Sequence, residues 1–246
     1  MGGHPNPKVL GAYRGTAAMK NGRLNWTGTV RCLPERLDWP SKWKKPRRIF
    51  VCNESDLFHE AVPDEFLLRV FRVMEWQDQH VYQLLTKRPE RMLEFIRRLG
   101  QERRGIPLHK DHIWLGVSVE DQKTADQRIP LLLQTPAVVR FVSYEPALGP
   151  VDFSPYLPIE SIGGVEMENW LHWIITGGES GPNARPMHPD WARSARDQCQ
   201  AAGIQFFFKQ VGEWAWEWNN GHRFPDGIRR VGKKAASRLL DGREWN

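Results

Sequence analysis

The stretch "HVYQLLTKRPERMLEFIRRL", residues 80–99, decides the fold. Its first seven residues are apolar and rich in strand formers, so 80–86 reads as a β-strand. Lys87 and Arg88 interrupt it. Pro89 and Glu90 then open an amphipathic segment, a proline and an acid in the first turn being a common helix start. The unit is strand, polar turn, helix, and it recurs in both directions along the chain. Upstream, "RRIFVCN" (47–53) is a strand and "PDEFLLRVFRVMEW" (63–76) a helix with Phe66, Leu67, Val70, Phe71, Val73 and Met74 on one face. Downstream, "HIWLGVSV" (112–119) is a strand followed by a helix over 121–134. "AVVRFVSY" (137–144) and "LHWIIT" (171–176) are strands separated by the irregular, Pro- and Gly-rich 146–170. A helix opens at Pro189 and stops at Gly203, and "IQFFFKQ" (204–210) is the last strand.

Six strands alternating with helices predict an α/β fold with a mostly parallel sheet. An open doubly wound sheet and a barrel share this pattern. The first strand is not followed by G-x-G-x-x-G, which disfavours a dinucleotide-binding open sheet. The expected architecture is an incomplete TIM-like (β/α) barrel of about six strands. The 246 residues fit a single α/β domain. Its parts are an irregular N-terminal segment (1–46) in which one short stretch could be helical, the partial barrel (47–210) and a C-terminal extension (211–246).

Composition narrows the class. Hydrophobic residues make up 40% and charged residues 26%, as in a soluble globular chain. No run of 18 apolar residues suggests a membrane span, and the N-terminus lacks the apolar core of a signal peptide. The three cysteines, Cys32, Cys52 and Cys199, are too sparse for a disulfide framework or a metal motif. A cytoplasmic location is expected. The formal charge of +6 permits a polyanionic partner.

Every strand ends on polar groups. The ends carry Asn53, Ser55 and Asp56; Thr86, Lys87 and Arg88; Ser118 and Glu120; Ser143 and Glu145; Gly177, Gly178, Glu179 and Ser180; and Lys209, Gln210 and Glu213. In parallel α/β folds these ends share one face, where ligands bind. The carboxylates Asp56, Glu120, Glu145 and Glu179 could hold a divalent cation, pair with Lys87, Arg88 and Lys209, or bind a substrate amine or ribose hydroxyls. Asp56, His59 and Lys87 are the candidate catalytic groups, His59 because imidazole titrates near neutral pH. No metal ligands are assigned. "KWKKPRR" (42–48) could contact phosphates, and Trp214, Trp216 and Trp218 could stack on bases.

The blocks "RRIFVCNESDLFHEAVPDEF", "LLTKRPERM", "WLGVSVEDQ", "RIPLLLQTPAVVRFVSYEPALGPVDF" and "WIITGGESGPNARPMHPDWARSARDQCQAAGIQFFFKQVGEW" carry a resemblance over nearly the whole chain. They resemble the phage Gp37/Gp68 family of uncharacterised proteins, whose full-length members look like radical S-adenosylmethionine enzymes. The resemblance implies S-adenosylmethionine and a 4Fe-4S cluster held by an N-terminal cysteine motif, with chemistry on a nucleic acid or modified base. This chain departs from the family there. It starts beyond that motif, so the resemblance implies a truncated or variant form without cluster chemistry. By position along the barrel, Ser118, Glu120, Ser143, Glu145, Gly177, Gly178, Glu179 and Ser180 would bind the cofactor's amino-acid and ribose portions. The alternatives are a metal-dependent hydrolase or nuclease built on the strand-end carboxylates, and a non-catalytic nucleic-acid-binding module.

Overall fold

The structure is a computed structural model that describes residues 14–20, 23–52, 55–102, 111–158, 170–216, 228–232, 236 and 238–246. Asn53 and Trp218 lie outside the described residues. The strand–helix units fold as their patterns require. In chain order they are β3 (Arg48–Val51), α1 (Asp64–Trp76), β4 (Val81–Thr86), α2 (Pro89–Glu102), β5 (Ile113–Val119), α3 (Gln122–Leu133), β6 (Val139–Tyr144), β7 (Trp173–Gly177), α4 (Pro189–Ala201) and β8 (Gln205–Gln210). All six strands pair in parallel and in sequence order, β3-β4-β5-β6-β7-β8. The sheet curls into a half-barrel flanked by helices.

The N-terminal segment is described from residue 14 on, apart from 21–22, so part of the stretch read as a short helix lies outside the described residues. Within the described part, β1 (Ala17–Lys20) pairs with β2 (Arg23–Trp26) as an antiparallel ribbon. Gly15 turns the chain at φ +81°, and the Thr27 hydroxyl donates to its carbonyl at 2.7 Å. Two 3-10 turns follow, Pro34–Arg36 and Pro40–Lys42. Each starts on a proline, whose fixed φ and missing N–H suit a first turn. In the C-terminal extension β9 (Trp214–Trp216) pairs antiparallel with β10 (Ile228–Arg230).

Local chemistry explains the helix boundaries. α1 begins on Asp64 and Glu65, acids at the positive end of the helix dipole. Asp64 also reaches α2, pairing with Arg91 at 3.0 Å and with Arg98. α3 opens with a capping box, in which the Asp121 carboxylate accepts from the Thr124 amide at 2.8 Å and the Thr124 hydroxyl accepts from the Asp121 amide. Gly203, at φ +68°, ends the turn after α4.

The two faces of the sheet have different contents. The helix-facing side carries Tyr82, Leu84, Leu115, Val117, Val142, Tyr144, Ile174 and Phe208, packed with Leu67, Phe71, Met92, Ile96, Ile129 and Cys199 of the helices. The concave side carries the alternate residues. There Trp173 lies between Trp114, Phe141 and Phe207, with ring centroids 5.9, 5.7 and 6.3 Å away. Phe141 is buried because Gly116 on the neighbouring strand leaves room for it; a Cβ on Gly116 would lie 2.6 Å from that ring. Among the described residues, no helix is long and apolar enough to cross a membrane.

Candidate functional site at the strand ends

The register fixes which side chains meet at the rim. Ser118 of β5 pairs with Ser143 of β6, and Ser143 with Ile175 of β7. Paired residues in a parallel sheet share a face, so Ser118 and Ser143 stand side by side on the concave side. Two residues further on, Glu120 and Glu145 leave their strands in the same direction.

Four ionic groupings line this rim. At the end of β4, Asp56 accepts from the Thr86 hydroxyl at 2.7 Å, from the amides of Phe58 and Lys87 at 2.9 and 3.1 Å, and from Arg88 at 3.0 Å. Its oxygens are fully used in holding the loop after β3 to the loop after β4. Lys87 itself points on to Glu120, and Arg128 of α3 reaches the other Glu120 oxygen at 2.8 Å. Glu145 accepts from the Ser143 hydroxyl at 3.0 Å and from Lys209 at 3.1 Å. Glu179 takes a two-pronged grip from Arg185, at 2.8 and 2.9 Å, plus the Arg185 amide at 2.8 Å. Those bonds from Arg185 hold the Glu179 carboxyl below its usual range. They likewise raise the Arg185 pKa, and the charge on Glu120 adds to that shift, so the fourth grouping lies within electrostatic range of the second.

Of the three uses open to the strand-end carboxylates, the geometry shows pairing. Each is matched to a lysine or arginine. Among the described residues, no group of three or more His, Cys, Asp or Glu is gathered for a metal ion. His59 adjoins the first grouping: its Nε2 lies 3.8 Å from Glu60, which pairs with Arg88 at 3.0 Å. The imidazole Nδ1 accepts from the Ala61 amide at 3.1 Å within its own turn. A groove of about 480 Å³ lies elsewhere, between α2 and α3, and is lined by helix residues such as Leu93, Arg97 and Leu131. None of the strand-end groups contributes to it.

The glycines of "GGES" are required by packing within the chain. Gly177 ends β7 next to a register shift, and a Cβ there would press on the Glu145 carboxylate. Gly178 packs against the chain's own backbone. A Cβ on it would overlap the Val211 carbonyl, and Gly212, at φ +100°, is as close from the other side. The Gly178 amide donates to Gln210, and the Glu213 amide to Glu179, both at 3.0 Å. The close approach to these glycines is made by residues 211–213. Ser180 accepts from Gln210 at 3.1 Å. Trp214 holds this loop through its Nε1, which donates to the Ala184 carbonyl at 2.7 Å.

Ser118 is the exception among these groups. It is 5% exposed, and its hydroxyl makes no hydrogen bond among the described residues. The fully buried hydroxyl without a partner among them is that of Thr176, one position before Gly177 on the helix-facing side of β7. Sequence reasoning found every strand-end residue but missed Arg128 and Arg185. Arg128 sits eight residues after Glu120, two turns into α3, where position relative to a strand gives no signal. Arg185 follows Glu179 by six residues in a loop without periodicity.

Residues 9–246 match the profile of a family described as proteins of unknown function, DUF5131. The chain belongs to this family. An uncharacterised family was what the sequence blocks implied, and the match extends over almost the entire chain, rim and half-barrel included. No curated protein and no solved structure matches it.

Proposed function

We propose that the rim binds a small zwitterionic nucleoside, S-adenosylmethionine being the one the phage Gp37/Gp68 resemblance points to. The observation that carries this reading is the free hydroxyl of Ser118, buried beside the Ser143–Glu145–Lys209 grouping. A hydroxyl that keeps a sliver of exposure and makes no bond within the described chain has its donor and acceptor open to a ligand that displaces water. A ligand hydroxyl or carboxylate between Ser118 and Ser143 is such a partner. The neighbouring charges suit a zwitterion, since Glu145 meets an ammonium and Lys209 and Lys87 meet a carboxylate. The aromatic floor of Trp114, Phe141 and Trp173 lies one to two layers below, on the same concave face.

A 4Fe-4S cluster does not fit the cysteines present. Cys52 follows β3 at one edge of the sheet. Cys199 is on α4, packed against β7 and β8 near the other edge, fully buried with its thiol pushed up to about 12 by that burial. Cys32 lies within electrostatic range of Cys52, but Cys199 lies across the sheet from both, so the three thiols cannot converge on one cluster and no cleavage step is assigned to them. The proposed role of the chain's own groups is to bind and orient the nucleoside.

Calorimetric titration of the full chain with S-adenosylmethionine tests the reading. One-to-one binding is expected, weakened about tenfold or more by Ser118→Ala and by Glu145→Gln, the loss of one charge-assisted contact being worth about 1.5–3 kcal/mol. Ser118→Ala should leave the unfolding midpoint unchanged, because the hydroxyl has no partner to lose. Absence of binding by the folded wild-type chain overturns the proposal.

A further inference from the structure

At the opposite end of the sheet lies a segment of a different electrostatic kind. Residues 31–48, "RCLPERLDWPSKWKKPRR", contain seven basic and two acidic side chains, which is five of the six net positive charges of the whole chain. Lys42 pairs with Asp38 at 2.6 Å. Arg36, Lys44, Lys45, Arg47 and Arg48 have no carboxylate partner among the described residues, and all but the stacked Arg36 and Arg47 extend without a ring beneath them.

This segment is fastened to the N-terminal ends of β3 and β4. The buried imidazole of His80 joins two of its points. Nδ1 accepts from the Arg47 amide at 3.2 Å, and Nε2 donates to the Pro40 carbonyl at 2.9 Å. Gln79 donates to the Trp43 carbonyl at 3.1 Å. Aromatic rings are interleaved with the charges. The Arg36 guanidinium lies 4.8 Å over Trp39, and that of Arg47 lies 4.9 Å over Trp43. Trp39 is 42% exposed. Trp76, 79% exposed, ends α1, from which residues 77–80 lead straight into the same end of the sheet.

We propose that this end of the half-barrel is a docking surface for single-stranded nucleic acid. Lys44, Lys45 and Arg48 would meet successive phosphates, and Trp39 and Trp76 would offer flat faces to unpaired bases. Unmatched cations supply the sequence-independent attraction to a polyanion. Exposed rings add stacking that a duplex, with its bases already stacked, does not use. An anionic membrane would be met by an amphipathic helix with one apolar face. Pro34, Pro40 and Pro46 keep this segment from forming one, and its only helical turns are three residues long. The proposal rests on none of the rim residues and stands or falls apart from the nucleoside reading.

The test is polarisation of a labelled oligo-dT of about 20 nucleotides, titrated with the full chain between about 50 and 200 mM salt. Affinity should fall log-linearly with salt. Lys44→Glu/Lys45→Glu should weaken binding at least tenfold at the lowest salt and flatten the slope by about 1.4, the share of two phosphate contacts on a single strand. Trp39→Ala should weaken binding about fivefold or more with the slope unchanged, as loss of stacking requires. Lys123→Glu, the same charge change on the exposed side of α3, should weaken it far less. All variants should keep the wild-type melting curve. Equal binding by the double variant and wild type overturns the proposal, as does a duplex of the same length binding as tightly as the single strand. Binding to phosphatidylserine vesicles without binding to the oligonucleotide also overturns it and assigns the surface to lipid.

Discussion

The two ends of one parallel sheet handle charge in opposite ways. At the C-terminal rim every sequence-expected carboxylate is held by a cation: Asp56 by Arg88, Glu120 by Lys87 and Arg128, Glu145 by Lys209, and Glu179 by Arg185. At the N-terminal end the charges around 36–48 are mostly of one sign and unmatched, and the polar groups nearest the sheet are imidazoles. His80, His112 and His172 each immediately precede a strand and each bond to backbone. Matched charges cost little to keep close together and fix loop geometry. Unmatched like charges repel one another and contribute nothing to the fold. The rim is therefore organised from within, whereas most cations of the N-terminal end are left unneutralised by the described residues, which is the ground of the docking proposal.

The most severe way to break the rim is to separate its two backbone strands. Gly178→Ala places a methyl group into the Val211 carbonyl, and backbone on both sides cannot yield as a flexible side chain would. A loss of about 3 kcal/mol in urea unfolding is expected. Gly181→Ala is the contrast. Its φ is +110° but its surroundings are open, so only backbone strain of about 1 kcal/mol follows. Equal effects at the two glycines would show that residues 211–213 do not pack on "GGES" as described.

The next effect tests whether pairing holds the rim. Asp56→Ala removes the acceptor shared by the Thr86 hydroxyl, two amides and Arg88. Leaving such partly buried donors without a partner costs about 2 kcal/mol. Asp56→Asn, which keeps one acceptor oxygen, should recover part of it. A catalytic but structurally idle Asp56 would give neither loss. Urea midpoints of the three proteins decide between these outcomes.

The half-barrel was legible in the sequence because its signals are local. Strand, polar turn and helix follow one another within about 20 residues, and proline, acid and glycine mark the helix ends at Pro63, Pro189 and Gly203. The rim was legible as a set of positions, because parallel strands place all their C-terminal ends together. Its pairing was not. Arg128 and Arg185 reach their partners through helix rotation and loop path, which no spacing encodes. The reason for Gly178 was also hidden, since its neighbour Val211 lies beyond the next helix and strand. Among the described residues of the N-terminal segment, the ribbon of β1 and β2 and the two 3-10 turns were not legible, because neither a two-stranded ribbon nor a three-residue turn is long enough to leave a periodic pattern.

Acid separates the two ends with the smallest effect, one that vanishes at neutral pH. His172 accepts a hydrogen bond on Nδ1 from the Arg140 amide at 3.2 Å. Burial, reinforced by the nearby Arg140 charge, lowers its pKa from the ordinary 6.5. The unfolded chain then takes up a proton before the folded chain does. Stability is fully present above pH 6.5 and declines as pH falls below it towards the folded pKa. At the rim the sign of the shift is the same but the window is lower. The Glu179 carboxyl, lowered from 4.5 by Arg185, loses its contribution only as pH falls below 4.5. Unfolding free energy measured against pH should therefore decline in two stages. His172→Gln retains an acceptor without a titrating ring, and should remove the upper stage while leaving the lower one. Glu179→Gln should do the reverse. A single stage that neither variant alters would mean that neither end of the sheet sets the acid response.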